Sequence, residues 1–529
     1  MRLTISAFLC ITGLFVCASG AAQYKQIHRD AISEIVDGEY GAAIEVFEKH
    51  LRKEADDLES LYGLTMAYSC KGDTGAAMKY LERAVGSGLC FERFVAGPRD
   101  MFSALTRSEA FKAYAARHDV ELLHGPMLGS VTDSGVRFWV RTACETGVQV
   151  RLSRSERMTN PVTSAIARTD AERDYTAVME VSGLAADTPY FYELLVGGKV
   201  VRTNARRFRT FPAVGKGARF SVCFGGGAGY TPKHERMWDT IAWRGPLALL
   251  LLGDNVYIDH PLKPQVQRYC YYRRQSRPEF RRLAGSVPVF AIWDDHDFCT
   301  NDGFGGPETD RPEWKRPVWR VFKENFVNPA YGGGEERPGC WFDLSIGDVD
   351  FFLLDGRYYR DHNAEPPTML GPVQKQWLFE KLSKSKGTFK VIASPVAWTF
   401  YAKGISRDTW NGFRAEREEI FSFLERKRIE GVFLISADRH RSDAWRIERP
   451  SGYDLYEANT SRLTNMHKHS TMDKALFSYN KKCSFGLLIF DTTKADAEIE
   501  YEVVTIDNEP VHSITVKRSQ LSFGSPVGF

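Results

Sequence analysis

Four short strings in this 529-residue chain carry side chains suited to holding metal ions. They are Gly253-Asp254-Asn255-Val256-Tyr257, Trp293-Asp294-Asp295-His296-Asp297 with Asn301 close behind, Asp355-Gly356-Arg357-Tyr358-Tyr359-Arg360, and Ala437-Asp438-Arg439-His440. A carboxylate such as Asp254 can bridge two cations, and the phenolate of Tyr257 can bind a hard trivalent ion. Asp294, Asp295 and Asp297 crowd around His296, a costly arrangement unless a cation or hydrogen bonds offset the repulsion. Asp294 or Asp295 can then ligate, Asn301 can add a neutral oxygen, and His296 can give a proton or hydrogen bond to a leaving oxygen. Asp438 and His440 stand two apart, so on an extended segment they point the same way and can share a bimetallic site. Arg357 can offer a bidentate fork to phosphate oxygens or form a salt bridge with Asp355. The bland alternatives are an Asp-Asn turn at 254–255 and a solvated acidic turn at 294–297. Together the strings point to metal-assisted hydrolysis.

The elements that must position them are legible too. Six short apolar runs end in or beside such residues: Arg219–Phe224 (carrying Cys223), Leu247–Asp254, Pro288–Asp295, Val349–Asp355, Lys390–Ser394 and Val432–Asp438. Each fits a strand covered on both faces, and in such sheets the ligand crevice lies beyond the carboxyl ends of the strands. Helical patterns alternate with them, for example Gln374–Ser383 and Arg414–Lys427. The sequence therefore predicts a layered α/β catalytic domain over 217–485, with a β-rich extension over 486–529 closing its sheet.

The chain is too long for one core, so a multidomain protein is expected. Residues 27–116 read as helical, and two segments align at a period of about 34, pairing Gly38 with Gly72, Ala43 with Ala77 and Phe47 with Leu81. That spacing resembles tetratricopeptide repeats, which serve as a spacer or dock a protein partner. Residues 120–213 alternate with period two and resemble a fibronectin-III-like β-sandwich. At the start, Met1-Arg2, the apolar Ile5–Val16 and the small residues 18–22 read as a signal peptide over 1–22, which predicts an exported, periplasmic or extracellular protein. A lipoprotein anchor at Cys17 is disfavoured by Phe15 and Val16 before it. No later run is long enough to span a bilayer. A net charge of +3 gives no basis for specific nucleic-acid binding. The cysteines beyond the leader show no metal or disulfide spacing, and Gly225–Gly227 is no P-loop because no GKS/T follows.

Taken with LGPVQKQWL, FKVIAS and Asn301-Asp302, these strings resemble the alkaline phosphatase D family of calcineurin-like metallophosphoesterases, similar in metal chemistry to purple acid phosphatases. The resemblance covers roughly 120–529. It implies a trivalent iron held by Cys223, Asp254 and Tyr257 with His440 nearby. It also implies divalent ions, calcium foremost, held by Asp254, Asn301 and Asp438, with Asp295 a further ligand. Ligand type alone leaves manganese and zinc open. A thiolate at Cys223 requires a cation to deprotonate it; the alternative is a buried small hydrophobe. The implied activity is hydrolysis of a phosphate mono- or diester by a metal-bound hydroxide, with His296, Asp295 and Arg357 as catalytic groups. Two departures stand out: Ala437 where the family usually has glycine, and the glycine-rich Gly225-Gly226-Gly227. The rival readings are a secreted binding protein with an inert metallophosphatase-like domain, and a hydrolase of another ester.

Overall fold

The computed structural model describes residues 24–118 and 120–524; the signal-peptide expectation for 1–22 lies outside them. All six apolar runs are strands, and every one is parallel to a neighbour. Arg219–Gly225, Ala248–Leu252 and Val289–Ile292 run side by side in one sheet, and Val349–Leu353, Phe389–Ala393 and Val432–Ser436 in a second. The second sheet continues through Leu455–Thr460, Ser442–Ile447 and Phe477–Tyr479, and its other edge is Phe342–Ile346.

The two sheets pack face to face around aromatic side chains. Phe490 lies 5.7 Å from Phe351 and 6.2 Å from Phe389, ring centre to ring centre, while Phe290 meets Phe342 at 6.2 Å. Because both sheets run the same way toward one rim, the loops after the six strands gather there. The two expected helices are present as Gly371–Lys384 and Arg414–Arg426.

The chain's last three strands are not an edge closure. Ser484–Asp491 pairs antiparallel with Arg219–Gly225, followed by Glu498–Thr505 and Pro510–Lys517, so they supply half of the first sheet. The expected boundary at 485/486 cuts through a strand. A β-rich tail reads the same from its alternation whether it sits at an edge or in the middle, so the sequence could not tell the two apart.

Ahead of the catalytic sheets, Leu122–Gly129, Gly135–Thr142 and Thr176–Ser182 form one small sheet, and Gly147–Ser153 with Pro189–Val196 anchors another. Phe138 of the first meets Tyr192 and Phe208 of the second at 4.9 and 5.7 Å. Residues 24–115 are helical. The residues matched by the 34-residue period hold equivalent places: Gly38 and Gly72 both have positive φ, and Ala43, Ala77, Phe47 and Leu81 are all fully buried. This helical segment lies on the helix Pro264–Gln275, where the buried carboxylate of Glu59 takes hydrogen bonds from Arg93 and from Tyr269 at 2.7 Å. From another side Arg141 donates to Gln275 at 2.7 Å. Partners from neighbouring segments therefore help to offset the burial of a helix so rich in Tyr, Arg and Gln.

Phe490→Ala should cost about 3–5 kcal/mol, measured by denaturant unfolding. A cost below about 1 kcal/mol would mean the sheets do not rest on this ring.

Candidate active site

The backbone leaves the strands sharply at the rim. Asp254, Tyr257, Asp438 and His440 all adopt left-handed conformations, with φ of 54°, 56°, 67° and 46°. Such positions cost non-glycine residues about 1–3 kcal/mol and cluster where side chains must be aimed. Here they aim into a cleft of about 300 Å³ lined by Tyr257, Asp295, His296, Asn301, Asp302, Lys403, Asp438, Arg439, His440, Asn465, His467 and His469. Six of the residues predicted from sequence are therefore brought together on its walls, and Asp254 lies directly beneath.

The crowded 293–297 string resolves into three separate tasks. Asp294 is buried and accepts from the Arg357 guanidinium. Asp297 accepts from the backbone of Asn255 and Val256 at 2.8 and 3.0 Å, tying this loop to the one carrying Asp254. Only Asp295 faces the cleft, where its carboxylate accepts from Asp302 N at 2.6 Å. These bonds offset the repulsion only in part: burial still pushes Asp294 well above the usual carboxylate range and Asp297 up to about 6, and Asp294 Oδ2 has no hydrogen-bond partner.

The same crowding extends to Asp254 on the neighbouring loop. Its Oδ1 is buried without a hydrogen-bond partner. Burial, and then Asp295, Asp297 and Asp438, outweigh the help of His296 and push its pKa up to about 8. Ligand atoms of Asp254, Asp295 and His296 all lie within 4.8 Å of one another. A buried oxygen with a lone pair to give, among further carboxylates, fits a cation. Tyr257 closes this end: its hydroxyl accepts from Asn465 at 2.6 Å, and burial followed by the Asp254 charge holds its pKa far above the phenolic range.

His296 is kept charged. Burial works against its imidazolium, but Asp254, Asp295 and a short bond from Nδ1 to Asp259 outweigh it and raise the pKa to about 10. On the opposite wall burial would raise the Asp438 pKa, yet Lys403, Arg439 and His440 hold it below the usual carboxylate range. Lys403 sits 2.9 Å from Asp408, 3.4 Å from Asp302 and 3.7 Å from Asp438. At the rim His440, His467 and His469 pack edge to face at 4.8–5.2 Å. Burial and then Arg439 push His469 down to about 4, which keeps it a neutral imidazole.

Residues 222–482 match the PhoD-like phosphatase family, and residues 107–212 match the PhoD-like phosphatase, N-terminal domain. The chain belongs to the PhoD-like phosphatase family. It is 24% identical over 314 residues to alkaline phosphatase D of Bacillus subtilis (strain 168), an alignment covering 50% of this chain and 53% of that protein. The chain thus spans about half the length of this curated relative. Its fold is similar to a solved structure of PhoD, with a TM-score of 0.64 at 17% identity over 75% of this chain and 90% of that one. It is also similar to the purple acid phosphatase PPD1 from yellow lupin seeds, with a TM-score of 0.56 at 13% identity over 75% of each chain.

Two residues predicted for this PhoD-like site are not in the cleft. Cys223 is fully buried within its strand, in register with Leu249 and Leu487. Burial pushes its thiol pKa up, and the charges it feels are Arg244 and Glu502, neither of which lines the cleft. Phe224 faces Tyr501 and the inter-sheet side, so its neighbour Cys223 must face the other way. Arg357 is fully buried as well. Its guanidinium bonds Asp294 and, at 2.7 Å, Asp408, and stands 3.6 Å from Asp295. It braces the floor of the site and offers phosphate no free fork; Asp355 instead accepts from backbone N–H groups and from Trp293.

Sequence reading missed Lys403, Asn465, His467 and His469. Lys403 and Asn465 carry no local signal, but His467 and His469 stand two apart, as Asp438 and His440 do, although the strand before them, Leu455–Thr460, is not an apolar run. The two family departures meet in space. A Cβ on Gly226 would stand 2.7 Å from the Ala437 methyl and 3.0 Å from Gly253 O. The extra methyl at 437 therefore requires the missing one at 226.

Gly226→Ala should lower the thermal midpoint, and Ala437→Gly in the same chain should restore much of it. Equal losses with and without Ala437→Gly would refute the coupling.

Proposed function

We propose that this chain is a metal-dependent phosphoesterase hydrolysing phosphate esters in this cleft. The observation that carries the reading is the buried, unpartnered Asp254 oxygen among Asp295, His296 and Asp438, beneath a cleft walled by Lys403 and Arg439. Asp254, Tyr257, Asp295, Asn301, Asp438 and His440 would hold the ions, without Cys223, and Arg357 would not contact the phosphate. Hard oxygen donors suit iron and calcium, while the imidazole end at His440, His467 and His469 suits iron, manganese or zinc. Without a thiolate, the argument for iron rests on Tyr257 and Asp254. Bound cations would neutralise the phosphoryl oxygens and activate water as the nucleophile.

The chain's own groups do the rest. Lys403 and Arg439 present positive charge to the phosphoryl oxygens. His296, its Nδ1 held by Asp259, gives its Nε2 proton to the leaving oxygen. Arg357 acts from behind by holding Asp294 and Asp408, and so fixes the loop carrying Asp295. We further propose that the protein is exported under the leader at 1–22, and that the two small sheets and the tetratricopeptide-like segment flank a catalytic unit. An inert scaffold would have no use for a buried carboxylate that keeps an unpartnered oxygen and that His296 only partly compensates.

Elemental analysis of the purified protein should find bound metal. Asp254→Asn should lose it, and lose more aryl phosphate hydrolysis than the roughly 100-fold that outer-shell changes cost. Unchanged hydrolysis would sink the proposal. Arg357→Met should weaken metal affinity by about 10–100-fold and leave KM unaltered. A selective rise in KM would instead place the guanidinium on the substrate.

A further inference from the structure

We propose that Arg29, on the first helix of the N-terminal segment, is a positioning residue of the active site: through Asp259 it holds His296 in its working orientation. The inference rests on the reading of His296 as the leaving-group acid.

The geometry is a three-member chain between segments 230 residues apart in sequence. Arg29 lies in Tyr24–Val36 and is 6% exposed. Its Nη1 donates to Asp259 Oδ2 and reaches toward Tyr257 O at 3.4 Å. The other oxygen of the same carboxylate, Oδ1, takes Nδ1 of His296. The loop is folded around that histidine, since Ile258 N and Asp259 N both donate to His296 O at 2.7 and 3.1 Å. Asp259 itself is left-handed, with φ of 57°. A carboxylate gripped from one side alone can swing about its χ angles and take the imidazole with it. A guanidinium on the second oxygen removes that freedom.

Arg29 is not needed merely to dock the helices. Lys263 bonds Ser33 Oγ at 2.6 Å and Asp37 at 2.5 Å, His260 lies 3.7 Å from Asp30, and Glu59 ties Arg93 to Tyr269. Those pairs bind the segment to the catalytic domain without touching His296. Arg29 alone among them shares its partner with the cleft. The helical segment therefore forms the outermost layer of the active site and is more than a spacer.

The test uses the full chain and two aryl phosphates, the 4-nitrophenyl ester with a good leaving group and the unsubstituted phenyl ester with a poor one. Arg29→Ala should lower kcat for the phenyl ester by about 10–100-fold, part of the span of general acid catalysis, and that for the 4-nitrophenyl ester by less than about threefold. KM should hold, Arg29→Lys should recover part of the loss, and adding Arg29→Ala to His296→Ala should cost nothing further. The far-downfield proton resonance of His296 Nδ1, identified by its absence in His296→Ala, should shift or broaden in Arg29→Ala. Lys263→Met, which loosens docking without touching Asp259, should leave both the resonance and the ester dependence unchanged. An unmoved resonance in Arg29→Ala, or an equal shift in Lys263→Met, overturns the proposal. If the resonance moves only in Arg29→Ala while His296→Ala treats both esters alike, Arg29 keeps its positioning role and the reading of His296 as an acid falls.

Discussion

Negative charge gathered in a place with little water governs this molecule. Asp254, Asp294, Asp295 and Asp297 are buried, and Asp438 half-buried, at the rim where the two sheets end. Like charges at such separations in a low-dielectric setting repel strongly, and each must be answered. The answers organise the surroundings. Asp297 is met by backbone N–H groups, Asp294 by Arg357, and Asp438 by Lys403 and Arg439. Arg357 in turn needs Asp408, which Arg360 and Lys403 share. Asp254 has the His296 imidazolium, but burial and its carboxylate neighbours outweigh that help and its Oδ1 is left without a hydrogen-bond partner, which is why the chemistry converges on it.

The strands and their ends were legible because an apolar run bounded by polar residues has few other uses. The same logic placed Asp254, Asp295, His296, Asp438 and His440 correctly at one rim. It failed for Cys223 because membership of a strand does not say which face a side chain takes, and Cys223 stands two residues short of the end. It failed for Arg357 because the string Asp355-Gly356-Arg357 contains no sign of Asp294 and Asp408, which come from distant segments. Lys403 and Asn465 were invisible for the same reason: loops that arrive from elsewhere carry no periodicity pointing to their destination.

The helix Pro264–Gln275 shows how the parts become one body. The helical segment meets it through Glu59 and Tyr269, one small sheet through Arg141 and Gln275, and its preceding loop carries Tyr257 and Asp259 to the cleft. Buried polar contacts of this kind add little net stability but tolerate only one arrangement. A boundary drawn from composition would separate these segments, whereas their hydrogen bonds run across it.

The place of Ser484–Asp491 in the middle of the first sheet governs how the molecule can be built. Until that strand arrives, Arg219–Gly225 has a neighbour on one side only, and its other edge exposes a row of unpaired N–H and C=O groups. The residue that pairs first along that edge lies more than 250 positions later in the chain, as Arg219 opposite Asp491 shows. Nascent chains emerge N-terminus first, so the small sheets and the helical segment can fold early, but the catalytic sheet stays open until residues 484–491 have been made. A chain released before residue 484 would carry a sticky strand edge and half a sheet, a substrate for chaperones or proteases instead of a partly working enzyme.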